Sequence, residues 1–193
     1  MQGETAERIL EAANALLIDR GYSAFSYADI AETVKIRKAS IHYHFPTKAG
    51  LVAAALRRHR ARISEGMKAL DDQIENPLVR IKNYFKYWEG CIEGRTLSFC
   101  IGALLGAEMP SLPEEVQAEV RSHFSMLTEW FGRTLKAGSK ARVIHLQGTV
   151  ATEAQMLIAV LHGAMLSARA TNNCDVFRSL SQSEMNRISP ARQ

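Results

Sequence analysis

Ser26-Tyr27-Ala28-Asp29-Ile30-Ala31-Glu32-Thr33-Val34-Lys35-Ile36-Arg37-Lys38-Ala39-Ser40-Ile41-His42-Tyr43-His44-Phe45-Pro46-Thr47-Lys48 is the stretch on which the reading of this 193-residue chain turns. Ser26 offers a side-chain oxygen to the free amides of a helix start, and Asp29 stands three residues on, a short version of the capping box. Ile30, Ala31 and Val34 recur at helical spacing and supply a buried side. The break Val34-Lys35-Ile36 separates this from a short basic helix, Arg37 to His44, which Pro46-Thr47 stops while capping the next. Helix, three-residue turn, helix over residues 27–43 is the spacing of a helix-turn-helix, whose second helix lies in the DNA major groove. There, Ile41 and Phe45 point inward one turn apart. Ala39, His42 and Tyr43 project on the opposite side, with Lys38 and Ser40 at its margins. A lysine, small residues and hydrogen-bonding rings suit base edges and phosphates, and Lys48 puts a cation where phosphates dock against helix amides. A short connecting helix with a chance basic surface is the plainer account of the same residues.

The charge distribution points to the same end of the chain. The formal net charge is +4, and residues 1–62 hold ten Lys/Arg against six Asp/Glu while residues 63–193 hold fourteen of each, so the whole excess lies in the first third. Between positions 33 and 64, Lys35, Arg37, Lys38, Lys48, Arg57, Arg58, Arg60 and Arg62 occur with no acidic residue among them. Such a run is compatible with an anionic partner or with a solvated helix face. The balance of 47% hydrophobic and 23% charged residues excludes a disordered tail. Cys91, Cys100 and Cys174 are an odd number in a chain too large to need disulfide staples, which fits a reducing compartment. The start, Met1-Gln2-Gly3-Glu4-Thr5, leads into an amphipathic pattern with acids in it rather than a secretory signal. The longest uninterrupted apolar stretch, around Cys100 to Ala107, falls short of the roughly 20 residues that span a bilayer. The expectation is a soluble cytoplasmic protein with no membrane partner.

Elsewhere the apolar spacing is helical nearly throughout. Ala6, Ile9, Leu10, Ala13, Leu16 and Leu17 form a stripe closed by Gly21. A long helix runs from Thr47 to Asp71-Asp72 with its basic residues outward. Asn76-Pro77 starts a segment carrying Leu78, Ile81, Tyr84, Phe85 and Trp88. Further helices are predicted over Leu97 to Glu108, from Pro113-Glu114-Glu115 to Gly138, over Val150 to Ala170 and, more weakly, over Val176 to Met185, with a loop from Ala137 to Gly148. With no strand-like alternation, the fold class is all-α, about nine helices.

Ser26-Tyr27-Ala28-Asp29-Ile30-Ala31, followed by Lys38 through Lys48 and by Leu51, resembles the DNA-binding domain of the tetracycline-repressor (TetR) family of bacterial transcription regulators, over roughly residues 5–55. The resemblance implies an all-helical homodimer. Residues 1–46 would form the three-helix DNA-binding domain, and residues 47–193 an effector-binding and dimerisation domain entered through a connecting helix at 47–72. It implies double-stranded palindromic operator DNA and a small-molecule effector as partners, and no cofactor. By motif position, Lys38, Ala39, Ser40, His42 and Tyr43 face the groove, with Tyr27, His44 and Lys48 near phosphates. Two positions depart from the family pattern. His42 stands where a tyrosine is usual, replacing a phenol by the side chain whose charge changes most readily near neutral pH. Lys35 stands where a glycine is usual, and a left-handed backbone there costs a lysine about 1 kcal/mol. His42 and His44, two apart on a helix, diverge and have no accompanying carboxylate or cysteine, so no metal site is expected.

Candidate effector residues in the remainder are Tyr84, Trp88, Cys91, Phe99, Cys100, Leu104, Phe124, Trp130 and His162, although aromatic stripes at helical spacing are more often simple core. His123 is a further polar candidate. Ser98-Phe99-Cys100-Ile101-Gly102-Ala103-Leu104-Leu105-Gly106-Ala107-Glu108 is similar to a segment of family members that include electrophile- and oxidant-responsive repressors, in which a cysteine at this position does the sensing. Cys100 is therefore the redox-sensing candidate. Its apolar neighbours, with Arg95 the nearest cation in sequence, favour a buried cysteine acting as a small hydrophobe. The small residues Ala151, Ala154, Ala159, Gly163, Ala164 and Ala168 make Val150–Ala170, with the last helix, the candidate two-fold interface. With no convergent nucleophile and base, no metal-ligand spacing and no phosphate-cradling glycine loop, no catalytic residue is assigned. The expectation is a regulator, as a repressor released by its effector; the alternative is a helical enzyme or carrier with an incidental basic segment.

Overall fold

The computed structural model describes residues 2–94 and 99–190, and every regular element among them is helical. α1 (Gln2–Arg20) ends at Gly21, whose φ of +77° closes the helix as its amide donates to the Leu17 carbonyl at 2.9 Å. A side chain at Gly21 would also collide with Glu108, since an added Cβ would lie 2.6 Å from Oε1. α2 (Tyr27–Val34) begins with the expected capping box: Ser26 Oγ accepts from the Ala28 amide, and Asp29 Oδ2 accepts from the Ser26 amide at 2.7 Å. α2 ends on Lys35 at φ 57°, ψ 50°, and the Ile36 amide donates back to the Ala31 carbonyl. The turn is thus the one a glycine would make, with lysine carrying the left-handed backbone at a cost of about 1 kcal/mol. Arg8 donates to the Val34 carbonyl at 2.7 Å, placing a cation at the negative end of α2.

α3 (Lys38–His44) and α4 (Lys48–Gln73) follow, with Thr47 Oγ1 accepting from the Gly50 amide. α5 (Pro77–Glu93) starts on the Asn76 cap. α6 (Ile101–Ala107) is shorter than predicted: Cys100 is extended at φ −74°, ψ 120° and precedes the helix rather than lying inside it, while Leu97 falls outside the described residues. α7 (Glu114–Lys140) runs two residues past Gly138, against which Ile144 packs so closely that an added Cβ would lie 2.3 Å from its Cδ1. α8 (Val150–Thr171) and α9 (Cys174–Ile188) are joined through Asn172 in the left-handed region and the Asn173 cap, which starts α9 two residues before the predicted Val176.

The chain divides into two compact units. Unit 1 holds α1–α3, α4 as far as Arg62, and Cys100–His123, with Ile9, Leu17, Ile30, Ile41, Leu51, Leu56, Ile101 and Leu105 fully buried. Unit 2 holds α4 from Ile63, α5, α7 from Phe124, α8 and α9, built on Ile81, Trp88, Phe131, Leu161, Met165 and Phe177. α8 is long and apolar enough in composition to cross a bilayer, although Glu153, His162 and Arg169 interrupt its apolar run. One side of α8 is core: Ala154, Leu157, Leu161, Ala164 and Met165 are buried, and Glu153 is ion-paired to Arg187 on α9.

Candidate nucleic-acid interface

α3 is anchored by Ile41, which is fully buried, and everything the sequence placed on its other side is turned outward. Lys38, Ala39, His42 and Tyr43 are exposed, Tyr43 to 70%, and Ser40 is half-buried at the margin. The His42 ring lies 4.6 Å from that of Tyr27, and its Nδ1 is 3.4 Å from the Pro46 carbonyl. The His44 ring packs between those of Tyr43 and Phe45.

Tyr27 and Lys48 are held differently from the other members of the predicted set. The Tyr27 hydroxyl donates to the Phe45 carbonyl at 2.7 Å, so it fastens α2 to the end of α3; burial pushes the phenol up to about 12. Lys48 Nζ donates to the Phe25 carbonyl at 2.5 Å and sits over the rings of Tyr22 and Phe25, 4.8 and 4.3 Å from their centroids. Burial moves its ammonium below the usual lysine range, with Glu108 and Asp29 opposing the shift. Tyr27 thus braces α3, while Lys48 ties the start of α4 to the segment before α2.

The acid-free run from 33 to 64 also splits in two. Arg57 and Arg60 on α4 both bind Glu119 on α7, at 2.8 and 2.5 Å, and this pairing holds the Glu119 carboxyl below its ordinary range against the effect of burial. Arg58 binds Glu7 and Glu11 on α1 at 2.6 and 3.0 Å. These arginines do lie on the outer side of α4, Arg57 exposed and Arg58 and Arg60 half-buried, but acids distant in sequence come alongside them. Among the described residues, Lys35, Arg37 and Lys38 make no ion pair. Arg62, exposed on α4, also makes none, so among the described residues the exposed cations of this run without an ion pair are these three at the start of α3 and Arg62.

The candidate effector residues are divided between the two units. In unit 2, Tyr84 packs on Trp130 and Phe131 at centroid separations of 5.4 and 5.6 Å, and Trp130 Nε1 donates to Asp71 Oδ2 at 3.1 Å. Trp88, Cys91 and Phe99 are buried, and Phe124 stacks edge-on to His162 at 5.4 Å. Burial pushes the His162 imidazolium down to about 4, so this ring is neutral at neutral pH. A cleft of about 410 Å³, bounded by Ile92, Glu93, Ala168, Arg169, Asn173 and Cys174, includes none of the predicted residues. Cys100 and the half-buried Leu104 belong to unit 1.

Cys100 is 1% exposed and lies between two histidines: Sγ is 3.3 Å from His123 Nε2 and 3.6 Å from His59 Nε2. Burial pushes its thiol up to about 11, although the amides of Ala103 and Gly102 favour the thiolate. The predicted neighbour Arg95 lies outside the described residues. His59 has no role in the sequence reading, and His123 enters it only as a generic polar group. Separations of 41 and 23 residues from Cys100 announce no ligand set. Gly102, one helical position past the start of α6, was the available signal for close packing: a Cβ there would lie 2.3 Å from the His123 ring.

The model of bacterial regulatory proteins of the tetR family matches residues 9–55, the segment that builds α1–α3 and the start of α4. A solved TetR-family transcriptional regulator from Agrobacterium tumefaciens is 41% identical, covering 98% of this chain and 100% of that one with a TM-score of 0.96. A TetR transcriptional regulator from Legionella pneumophila is 26% identical over 95% of this chain and 96% of its own, with a TM-score of 0.86. The transcriptional repressor NemR of Escherichia coli is 25% identical over 173 residues, 88% of this chain and 86% of its own.

Proposed function

The chain belongs to the TetR family of transcriptional regulators, which are DNA-binding proteins and not enzymes, and from that premise we propose that it is a cytoplasmic homodimeric repressor that lays α3 in the major groove of a palindromic operator. The observation that carries this reading is the α3 surface, where Lys38, Ala39, His42 and Tyr43 are exposed and the nearby cations have no acidic partner among the described residues. Lys38 would meet phosphate and the margin of the groove, the small Ala39 and Ser40 would allow close approach, and His42 and Tyr43 would reach base edges or phosphate oxygens. Tyr27 would act indirectly by fixing α3 and Lys48 by tying α4 to the segment before α2, while the Lys48 and Ala49 amides at the start of α4 would remain available to a phosphate. His44, half-buried beside Tyr43, would serve chiefly to orient that ring. In this reading residues 1–46 are the DNA-binding domain and the remainder receives the effector and the second subunit.

The dimer reading rests on α8. Its outer side carries Met156, Ala159, Gly163, Leu166 and Ala170, exposed residues at i, i+3, i+4 spacing, and nothing lies within 4 Å of where a Cβ would stand on Gly163. Such a small, apolar stripe suits close helix approach across a two-fold axis. An effector would lower DNA affinity by favouring a dimer whose two α3 helices no longer match both half-sites. A ligand that binds reversibly agrees better with a sulfur 1% exposed and a thiol near 11 than does attack by an electrophile on Cys100. The test is a salt-dependent shift of the promoter-proximal duplex DNA flanking the gene. Lys38→Ala together with Tyr43→Ala is expected to abolish it, and an unchanged affinity and salt slope would reject the assignment of α3. Alkylation of the protein before the same assay is expected to leave DNA binding intact; release by confirmed modification of Cys100 would restore the electrophile route.

A further inference from the structure

His59 on α4, Cys100 at the start of α6 and His123 on α7 bring one sulfur and two imidazoles together inside unit 1, their ligand atoms all within 4.8 Å of one another. Around a metal with bonds of about 2.3 Å to sulfur and about 2.0 Å to nitrogen, a sulfur and a nitrogen ligand stand about 3.5 Å apart. The Sγ–Nε2 separations of 3.3 and 3.6 Å are close to that spacing and to the roughly 3.7 Å of a three-coordinate site, and the two nitrogens, within 4.8 Å of each other, would draw together to about 3.5 Å around the ion. Three helices hold the group in place. Arg57 and Arg60 tie α4 to Glu119, one turn before His123, and the absence of a side chain at Gly102 admits the His123 ring. His59, at 7% exposed, keeps the most accessible edge of the three.

The donor set also selects the ion. A thiolate is a soft ligand and imidazole is borderline, which favours copper(I) or zinc(II) over hard cations. Among the described residues no carboxylate joins the group, and Ile101, next to Cys100 in the chain, is fully buried. One thiolate neutralises a monovalent ion but leaves zinc with a net positive charge in an apolar interior, where an uncompensated charge is costly. Copper(I) is also satisfied by three ligands, whereas zinc would require a fourth.

We propose that His59 Nε2, Cys100 Sγ and His123 Nε2 form a site for one copper(I) ion per chain. On binding, the S–H bond breaks, an S–Cu bond forms and the proton leaves to solvent, with no change of oxidation state. The site stands independently of the DNA reading, since binding is measured without DNA.

The test is anaerobic titration of the full-length chain with copper(I) in competition with a chromophoric chelator, followed by X-ray absorption on the loaded protein. One ion per chain with one sulfur and two nitrogen ligands is expected. Cys100→Ser and His123→Asn should each weaken binding at least about hundredfold, because loss of even an outer-shell partner costs roughly 10–100-fold. The double variant Cys91→Ser, Cys174→Ser should keep full affinity, and copper(I) should raise the thermal midpoint of the parent and of this double variant but not of Cys100→Ser. Should His123→Asn fail to fold, His59→Gln at the more exposed edge gives the same comparison. Binding that survives Cys100→Ser, a spectrum with two sulfur ligands, or no ion held against the chelator would overturn the proposal. Tighter zinc than copper(I) binding would overturn the choice of ion.

Discussion

The two compact units offer different candidate surfaces to a partner. In unit 1 the cations at the start of α3 face water without acidic partners, and the residues beside them are polar rings and small side chains. In unit 2, Glu153 and Glu184, 4% and 6% exposed, are both bound by Arg187, while exposed positions of α8 and α9 carry Met156, Leu166 and Leu180. A surface of unpaired cations is attractive to a polyanion, and a surface of unpartnered apolar side chains to another protein face. Composition alone does not distinguish them, because arginines occur in both units. What differs is which side chains folding leaves side by side at the surface.

The largest effect is expected where the outer side of α8 is broken. Gly163→Arg faces open space in the monomer and improves helix propensity by about 0.8 kcal/mol, so the subunit should fold at least as well. Across a two-fold axis it sets two guanidinium groups against each other, at several kcal/mol. Sedimentation should show monomers, with operator binding lost alongside; a persistent dimer would move the interface elsewhere. Next is the α3 surface: Lys38→Ala with Tyr43→Ala should cost on the order of a hundredfold in DNA affinity, with a salt slope reduced by about one, as read by titrations at several salt concentrations.

Inside unit 2, Arg187→Met strands two carboxylates and should cost about 2–3 kcal/mol by chemical denaturation, at the lower end for a buried pair because Arg187 is a quarter exposed. The bond from Arg187 holds the Glu153 carboxyl below its usual range, so this stability is present above the ordinary glutamate pKa and is lost as pH falls through the depressed one. His162 adds a second window. Its folded value of about 4 lies below the ordinary histidine value of about 6.5, so the unfolded chain takes up the proton first and stability is lost as pH falls between those values. Thermal midpoints for His162→Phe should be flatter over that range than those of the parent. The smallest change is Lys35→Gly, which relieves the left-handed backbone and should stabilise unit 1 by about 1 kcal/mol, with DNA affinity falling slightly if Lys35 adds to the local field.

Much of this fold is legible residue by residue because its signals are local. Ser26 and Asp29 cap α2 as their spacing predicts, Gly21 closes α1, and Asn76-Pro77 opens α5, each through groups within four residues. The exposed side of α3 follows from helical periodicity alone. Periodicity does not locate the start of α6, because Phe99 and Cys100 have apolar side chains that suit a helix interior as well as the buried approach to one. The effector candidates were identified by residue type, and type does not distinguish a ring packed on other rings, as Tyr84 is, from one lining a cavity.

What the sequence by itself determined is therefore the set of helices, the helix-turn-helix and the face that α3 presents, because hydrophobic period, caps and turn residues act over one or two turns. Tertiary structure alone decided the rest. It paired Arg57, Arg58 and Arg60 with acids from α7 and α1, folded Lys48 onto Phe25, and gathered His59, Cys100 and His123 around one point. Those outcomes depend on distances between side chains many residues apart, and a distance of that kind exists only once the helices have packed.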